Sequence, residues 1–359
     1  MKVAFFIGTL NRGGAETLLT DIFNQAKELP FEATCIYRRE GNMSSAFHST
    51  SVPMIQLSEK NWVLFCFRLR QLVKKENIQI VHAQSAFNAV IAIISLAFTK
   101  VRIVTTLHGV GFSTANIFYK YLVYRYSSRI VCVSEWERAC YTMQASGGAF
   151  GRFVVIPNGI NFSKFGYARL PVKEGETIRM CMVGNFVPEK DQYFICCFLK
   201  ELKDRGCCFD FYFIGREIPS CKQYYYECVN YCEKNGLNEC IHFLGACENV
   251  PTLLADMDAF IYSSKSETFG IAPVEAMAVG LPTFVNDLEV FYEVTRQGQL
   301  AVLYKTGELL DLCSKFDDFL LNRQEYYNKA LSNSLKIRDL YSITNHINGL
   351  FSLYLQILS

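Results

Sequence analysis

A strand-to-helix transition in the second half of the chain decides the fold, and it reads SSKSETFGIAPVEAMAVG from Ser263 to Gly280. The run before it, Ala259 to Tyr262, is short and apolar, as is typical of a buried strand. The segment itself begins as a polar loop and continues as a helix. A strand that ends in a polar loop and then enters a helix is the repeating unit of parallel α/β sheets.

The same unit recurs along the chain, because short runs rich in Val, Ile and Phe alternate with helix-length segments. Strand candidates in the first half are residues 3–10, 33–37, 54–57, 78–83, 102–107, 130–133 and 154–156. Those in the second half are residues 178–183, 209–214, 241–244, 259–262 and 282–285. The pattern predicts the α/β class, with two doubly wound, Rossmann-like domains that face each other across a cleft.

Turn formers and charged residues interrupt the apolar rhythm near Pro157-Asn158-Gly159 and over residues 173–176. We therefore predict an N-terminal domain over residues 1–170 and a C-terminal domain over residues 171–340. The chain after Thr306 reads as helical, and we expect its last helix, about residues 341–358, to pack back on the N-terminal domain. Ligands of such sheets bind beyond the carboxyl ends of the strands, which predicts a site in the cleft.

Length and composition limit the class of protein. A chain of 359 residues, 50% hydrophobic and 19% charged, suits two folded globular domains. The longest apolar run, residues 86–98, is shorter than the roughly 20 residues that a membrane-spanning helix needs. The N-terminus reads as a first strand rather than an export signal. Fifteen cysteines, an odd number without zinc-site spacing, favour a reduced, cytoplasmic protein and no bound metal.

The charge is divided unequally along the chain. Residues 1–165 carry 18 Lys and Arg against 9 Asp and Glu, a net +9; residues 166–359 carry 18 against 25, a net −7. The basic residues are scattered rather than arranged in a stripe with stacking aromatics, which argues against nucleic acid. An anionic substrate or an anionic membrane surface is favoured. Residues 62–75 read as an aromatic, cationic amphipathic helix suited to such a surface, although an ordinary sheet-covering helix has the same pattern.

Two glutamates in the deciding segment are candidate ligands of a phosphorylated sugar. Glu267 falls in the loop and Glu275 in the helix, so both can face one cleft. Free N–H groups near Phe269, Gly270 and Ile271, at the start of the helix, offer an anion site. Carboxylates accept hydrogen bonds from sugar hydroxyls, and a helix N-terminus stabilises a diphosphate. A surface glutamate and a capping glutamate would give the same pattern.

Three more strand ends carry candidate residues. Asn185 and Lys190 follow the strand at 178–183, where a lysine can supply a point charge to a phosphate. Gly13 and Gly14 follow the first strand and permit close approach of the backbone to a ligand, without forming a dinucleotide fingerprint. His108 closes the strand at 102–107 and should point into the cleft. The other four histidines are interpreted as structural or surface residues, and Asp256-Met257-Asp258 as a helix cap rather than a metal site.

The order of these motifs resembles that of the retaining family 4 glycosyltransferases of the GT-B fold, and the resemblance covers the whole chain. The matching segments are the glycine loop at Gly13, His108-Gly109, Val133-Ser134-Glu135, Ile156-Pro157-Asn158-Gly159-Ile160, Gly184 to Lys190, and Glu267 to Glu275. The resemblance implies transfer of a hexose or N-acetylhexosamine from a nucleotide diphosphate sugar, with UDP favoured. It further implies a lipid-linked glycan acceptor, in cell-surface polysaccharide, lipopolysaccharide or capsule biosynthesis.

The resemblance also implies residue roles. Glu275 would bind the ribose, Glu267 and His108 the donor sugar, and Lys190 the diphosphate. The N–H groups at Phe269 and Gly270 would assist, and Gly13 and Gly14 would approach the phosphates. The acceptor would attack from the face that the leaving diphosphate vacates, so the configuration is retained without a protein nucleophile or a metal ion. With the basic first half, this suggests a cytoplasmic enzyme peripheral on the inner face of the cytoplasmic membrane.

The sequence departs from the family pattern at two places. Asn185 stands where the family commonly has arginine, with Arg216 and Lys265 as substitute cations, and residues 286–293 replace a glycine-rich turn. These departures leave two alternatives open: a nucleotide-sugar epimerase of the same architecture, and a non-catalytic binding protein with a glycosyltransferase-like fold. A nicotinamide-dependent oxidoreductase is disfavoured, because neither half contains the full glycine fingerprint.

Overall fold

The computed structural model describes residues 1–108, 117–143, 150–168, 176–247 and 249–359. The chain divides into two compact units. Unit 1 comprises Met1–Asn161 together with Tyr341–Ser359, and unit 2 comprises Phe162–Leu340. The boundary expected at about residue 170 and most of the polar stretch after it lie outside the described residues, as does the glycine pair after His108.

Unit 1 contains a parallel sheet of seven strands in the order β3-β2-β1-β4-β5-β6-β7. The strands are β1 (Lys2–Thr9), β2 (Glu32–Arg39), β3 (Met54–Gln56), β4 (Ile80–Ala83), β5 (Arg102–Thr106), β6 (Arg129–Cys132) and β7 (Phe153–Val155). The helices between them are α1 (Gly14–Asn24), α2 (Ser44–His48), α3 (Trp62–Lys75), α4 (Ala86–Ser95), α5 (Ile117–Tyr126) and α6 (Glu135–Thr142). The strand order reverses between β1 and β4, which is the switch point of a doubly wound sheet.

Unit 2 repeats this topology with six parallel strands in the order β10-β9-β8-β11-β12-β13. The strands are β8 (Ile178–Val183), β9 (Phe209–Ile214), β10 (Ile241–Gly245), β11 (Ala259–Tyr262), β12 (Thr283–Asn286) and β13 (Val302–Tyr304). The helices are α7 (Gln192–Asp204), α8 (Lys222–Lys234), α9 (Val250–Ala255), α10 (Ile271–Ala278), α11 (Glu289–Val294), α12 (Leu309–Leu321) and α13 (Arg323–Leu340). Its switch point lies between β8 and β11.

The last helix, α14 (Ile343–Leu358), belongs to the core of unit 1. Its buried side chains, among them Ile347 and Leu350, pack in one cluster with Phe5 of β1. Tyr354 also binds His82 at the end of β4, with 2.6 Å between the phenol oxygen and Nδ1. The other ring nitrogen of this buried histidine lies 2.6 Å from the hydroxyl of Thr106. Among the described residues, no helix combines the length and the apolar character that spanning a membrane requires.

The predicted fold class of two doubly wound α/β domains is confirmed, and all twelve predicted strands occur with ends within two residues of those expected. Strand β13 was not predicted, because three residues at a sheet edge are too few to show an alternating pattern. Helix α3 has the bounds that the sequence predicts. The Asn61 side chain starts this helix by accepting hydrogen bonds from the amides of Val63 and Leu64.

Candidate functional site

The loops after β8 and β11 are joined at the switch point of unit 2. Residues Pro188–Lys190 form one 3-10 turn after β8. The carbonyl oxygen of Glu189 in this turn accepts hydrogen bonds from the Ser264 hydroxyl, at 2.8 Å, and from the Lys265 amide, at 2.7 Å. Two bonds to one carbonyl fix the turn against the loop that carries Glu267.

This connection brings together Lys190 and Glu267, two side chains that are 77 positions apart. The Lys190 ammonium contacts the Glu267 carboxylate directly and lies 2.8 Å from the Tyr262 hydroxyl. That hydroxyl donates a hydrogen bond to the same carboxylate. The three side chains therefore form one charged cluster, which we call the Lys190–Tyr262–Glu267 cluster.

The cluster is only partly open to solvent. The Glu267 side chain is 11% exposed and that of Lys190 27%, while Tyr262 is fully buried. Burial, followed by the Glu267 carboxylate, raises the pKa of Tyr262 well above its ordinary value, so the phenol stays protonated and can donate. The ammonium can compensate the negative charge of a phosphate. The carboxylate beside it can accept a hydrogen bond from a hydroxyl group.

Asn286, the last residue of β12, holds the loop that precedes Glu267. Its side-chain oxygen accepts from the Ser264 amide at 3.1 Å, and its side-chain nitrogen donates to the Ser264 carbonyl at 2.7 Å. Asp287 in turn accepts from both the amide and the hydroxyl of Thr306, each at 2.7 Å. The segment that replaces the expected glycine-rich turn thus has a structural function here, and α11 begins within it, at Glu289.

Gly270 is the N-cap residue of α10. It adopts φ +85°, in the left-handed region, and a Cβ atom at this position would lie 2.6 Å from Cε1 of Phe291. Phe269 is buried, and Ile271 begins the helix, so the first amides of α10 lack intrahelical acceptors. Glu275 lies one turn into the same helix and is half-buried.

Asn185 and Lys265, one of the two expected substitute cations, have partners within the loops of unit 2. The side-chain oxygen of Asn185 accepts from the backbone amide of Arg216 at 3.2 Å, so its role is to join the loops after β8 and β9. Lys265 lies 3.4 Å from a carboxylate oxygen of Asp191, and its charge is already paired there. Among the described residues of the loops after β8 and β11, Lys190 is therefore the cation that contacts Glu267.

The remaining sequence-predicted residues lie in unit 1. Gly13 caps α1 in an extended conformation and Gly14 is the first residue of that helix. A Cβ atom on Gly13 would lie 2.5 Å from a carboxylate oxygen of Glu16, the flexible end of a side chain in the first turn. Burial raises the pKa of Glu16. The Glu16 side chain therefore lies over Gly13, whereas Gly14 is exposed.

His108 follows β5 and is held by a glutamine. Its Nε2 lies 3.0 Å from Oε1 of the buried Gln84, whose side-chain nitrogen is directed to the His82 carbonyl at 3.5 Å. This orientation makes Nε2 the donor and leaves Nδ1 as an acceptor. Burial, followed by repulsion from His346, lowers the pKa of His108 to about 4, so the ring is neutral at neutral pH.

Sequence reasoning missed Tyr262 and Asn286, because a tyrosine or asparagine at the end of an apolar strand resembles an ordinary strand residue. The interpretation of Asp256-Met257-Asp258 as a helix cap holds for Asp256, which is the C-cap of α9. Asp258 has a different role. Its carboxylate is buried, accepts from the Arg179 amide at 2.8 Å and from the Tyr327 hydroxyl at 3.1 Å, and so joins β8 to α13. Among the described residues, no group of three or more His, Cys, Asp or Glu side chains could hold a metal ion.

Two family models match the chain. The model of family 4 glycosyltransferases matches residues 12–164, and that of glycosyl transferases group 1 matches residues 169–336. The first match therefore falls in unit 1 except for its last three residues, and the second falls in unit 2 with the Lys190–Tyr262–Glu267 cluster.

Curated relatives and a solved structure agree with this assignment. An uncharacterized glycosyltransferase of Methanocaldococcus jannaschii is 25% identical over 79% of this chain and 77% of its own length. A UDP-Gal:α-D-GlcNAc-diphosphoundecaprenol α-1,3-galactosyltransferase of Escherichia coli is 24% identical over 61% of this chain and 60% of its own length. The crystal structure of Anabaena HepE in complex with UDP and glucose covers 99% of both chains with a TM-score of 0.85, at 18% identity.

Proposed function

Because the chain belongs to the GT-B glycosyltransferases that join a family 4 domain to a group 1 domain, we propose that it transfers a hexose or N-acetylhexosamine from a UDP-sugar to a lipid-linked glycan, with retention of configuration. The observation that carries the proposal is the Lys190–Tyr262–Glu267 cluster at the switch point of unit 2. The bound UDP of HepE and the donor and acceptor named for the Escherichia coli relative support this choice of substrates.

In the proposed donor complex, Lys190 and the first amides of α10 hold the diphosphate, because an ammonium and a helix N-terminus both stabilise negative charge. Glu275 accepts hydrogen bonds from the ribose, and Glu267 from the donor sugar. Gly13 and Gly14 have no side chains, so the phosphates can approach the backbone of unit 1 closely. The Nδ1 of neutral His108 accepts from a hydroxyl of the donor sugar, and Asn185 keeps the loop after β8 in place.

The chemical step needs charge compensation rather than a protein nucleophile. As the bond to the anomeric carbon breaks, negative charge collects on the leaving diphosphate, where Lys190 and the α10 amides stabilise it. Glu267 stabilises the positive charge that develops on the sugar ring. The acceptor hydroxyl attacks from the same face and passes its proton to the departing phosphate. We propose that no metal ion is required, so turnover should survive chelation.

We also propose that the enzyme works in the cytoplasm, at an anionic membrane surface. The amino-terminal half of α3 exposes Trp62, Val63, Leu64 and Phe67, and its last turn carries Lys74 and Lys75. Exposed aromatic and apolar side chains beside lysines suit the boundary between headgroups and acyl chains. Sedimentation with anionic vesicles, and its absence with neutral vesicles, tests this part of the proposal.

The function is tested by nucleotide binding and by turnover. Purified protein is screened for thermal shifts with UDP, GDP, ADP, CMP and NAD, since a ligand of the folded state raises Tm. UDP should give the largest shift, and Glu275→Ala should reduce it. Glu267→Gln should keep the shift but lose most transfer to an undecaprenyl-diphosphate-linked sugar. The exposed Glu308→Gln is the matched control. Donor turnover without release of UDP would instead identify an epimerase.

A further inference from the structure

A polar pocket lies in unit 1, at the carboxyl ends of β2 and β3. It has a volume of about 480 Å³. The residues that decide its chemistry are Arg38, Arg39, Glu40, Glu59, Lys60 and Trp62. Because ligands of doubly wound sheets bind at the carboxyl ends of the strands, this is the end of unit 1 where a substrate is expected.

Arg38 lies against aromatic rings and keeps its hydrogen-bond donors unused. Its guanidinium carbon is 4.3 Å from the centroid of the Trp62 ring and 6.0 Å from that of Phe87. Within the described ranges, the guanidinium forms no hydrogen bond or ion pair. Burial, followed by repulsion from Arg39, lowers the pKa of Arg38, although an arginine remains charged at neutral pH. A stacked guanidinium with five unused donors is suited to a planar or tetrahedral anion.

The charges that line the pocket do not balance. Arg39 and Lys60 are exposed and, like Arg38, have no ion-pair partner in the part of the chain that the structure describes. Glu40 accepts from the Tyr37 hydroxyl at 2.6 Å and lies 3.3 Å from His48. Glu59 lies 3.9 Å from Arg68 through one oxygen, and its other oxygen is buried without a hydrogen-bond partner among the described residues. The lining therefore carries three cations without ion-pair partners against two carboxylates that each have a partner outside the pocket.

An apolar strip continues from the pocket. Trp62 packs edge-on against Phe87 of α4, with ring centroids 5.6 Å apart, yet the two residues are 44% and 46% exposed. Leu64 and Phe67 on α3 and Ile94 on α4 are also exposed. Large apolar side chains exposed on neighbouring helices are typical of a surface that binds an apolar partner.

We propose that this pocket binds the phosphate group of a lipid-linked acceptor, with Arg38, Arg39 and Lys60 on the phosphate oxygens and the lipid chain along Trp62 and Phe87. The inference rests on the proposed function and assigns the acceptor's anionic group to named residues of unit 1. A free phosphate would use the same cations but not the apolar strip. A lipid phosphate uses both, and therefore binds more tightly than either of its parts.

The test separates these contributions with three probes: farnesyl diphosphate, inorganic pyrophosphate and farnesol. The chain has two tryptophans, so Trp136→Phe leaves Trp62 as the only indole reporter beside the pocket. Lys190→Ala in the same protein weakens diphosphate binding in unit 2. We expect saturable quenching or enhancement of Trp62 fluorescence by farnesyl diphosphate, with an affinity about tenfold higher than for pyrophosphate. Farnesol should bind more weakly than farnesyl diphosphate.

Charge variants then test the residues. Arg38→Gln should weaken farnesyl diphosphate binding about tenfold, the value of one lost charge-assisted hydrogen bond. Because Arg38 packs on Trp62, a second variant, Arg39→Gln with Lys60→Gln, removes two exposed cations without changing that contact. Lys27→Gln is the matched control. Lys27 is exposed near the amino ends of the same strands, so this substitution removes one positive charge at the other end of the sheet.

Each other outcome overturns the inference. Equal affinity for pyrophosphate would mean a free-phosphate site, and equal affinity for farnesol would mean an apolar site alone. An equal loss in Lys27→Gln would mean general electrostatic attraction. The proposed function is checked separately, by the UDP thermal shift of the protein with Lys190 intact. A thermal shift with UDP but no binding of farnesyl diphosphate contradicts only the proposal for the pocket. Binding of farnesyl diphosphate without a thermal shift with UDP contradicts only the assignment of the donor.

Discussion

The hydroxyl of Tyr262 lies 2.8 Å from the ammonium nitrogen of Lys190 and donates a hydrogen bond to the carboxylate of Glu267. One neutral group thus fixes the positions of two opposite charges. Tyr262→Phe removes this bridge while keeping the ring in the core. We expect kcat of transfer to fall about tenfold, since one lost hydrogen bond to a charged group is worth about 1.4 kcal/mol or more.

Tyr304→Phe is the control for this prediction. Tyr304 is also fully buried, and its hydroxyl donates to the backbone carbonyl of Tyr262 at 2.8 Å rather than to a charged side chain. Both variants lose one buried hydrogen bond and should lower Tm similarly. If Tyr304→Phe lowered kcat as much as Tyr262→Phe does, the effect would be one of stability and not of charge placement.

Gly270→Ala should damage both folding and donor binding. A Cβ atom at this position meets the Phe291 ring at 2.6 Å, and the backbone is in the left-handed region. Strain of about 1–2 kcal/mol in the backbone adds to about 1–3 kcal/mol of overpacking in the core. The free energy of unfolding in urea should fall by about 2 kcal/mol or more, and the thermal shift with UDP should decrease as α10 moves.

Gly307→Ala isolates the backbone contribution to that loss. Gly307 has φ +76°, close to that of Gly270, but no atom lies within 4 Å of the Cβ position. We expect only about 1 kcal/mol of destabilisation and an unchanged UDP shift. Equal losses for the two glycines would show that contact with Phe291 is unimportant.

The sequence predicted the fold well because its strands are continuous apolar runs between polar turns, and this pattern survives without tertiary information. It also placed Lys190 and Glu267 after two strands, and these strands border the switch point, where the carboxyl ends of parallel strands converge. The position of Tyr262 between them could not be predicted. A tyrosine that ends an apolar strand has the pattern of a core residue, and only the three-dimensional structure shows which side chains its hydroxyl contacts.

Asn185 and Asp258 illustrate the same limit for polar residues. Their side chains bond to backbone amides of Arg216 and Arg179, which lie on or after neighbouring strands. Such contacts depend on which strands pair, and pairing is not visible in local sequence. The unpaired cations beside Trp62 were hidden for a similar reason, because Arg38 and Lys60 are brought to one pocket only by the adjacency of β2 and β3.

The bond between Tyr354 and His82 predicts how α14 stabilises unit 1. Tyr354→Phe leaves a buried imidazole nitrogen of His82 without its partner at 2.6 Å. An unsatisfied buried polar atom costs about 1–3 kcal/mol, which should appear as a lower free energy of unfolding in urea. Tyr126→Phe, at an exposed position on α5, is the control and should change stability by less than about 0.5 kcal/mol.

Glu137 predicts an alkaline decrease in stability. This buried carboxyl accepts from the Val133 amide at 2.8 Å through one oxygen, and its other oxygen has no hydrogen-bond partner among the described residues. Burial raises its pKa to about 8. The surrounding Cys132, Cys140 and Tyr141 also have pKa values raised by burial and stay neutral. At pH 7 the folded state therefore keeps a proton that the unfolded state has lost.

The sign follows from proton linkage. Between the unfolded pKa of about 4.3 and the folded pKa of about 8, the unfolded state binds fewer protons, so this group lowers stability as pH rises. His108 and His346, with pKa values lowered to about 4 by burial, act in the opposite direction, but only below about pH 6.5. Between pH 7 and 8 the Glu137 effect is therefore not offset by these histidines.

Glu137→Gln tests this effect, because glutamine keeps an acceptor for the Val133 amide and cannot ionise. From pH 7 to pH 8, the wild-type protein should lose roughly 1 kcal/mol more stability in urea than the variant does. Titrations of the cysteines are common to both proteins and cancel in the difference. A difference that stays constant across this pH range would mean that Glu137 is already ionised in the folded state.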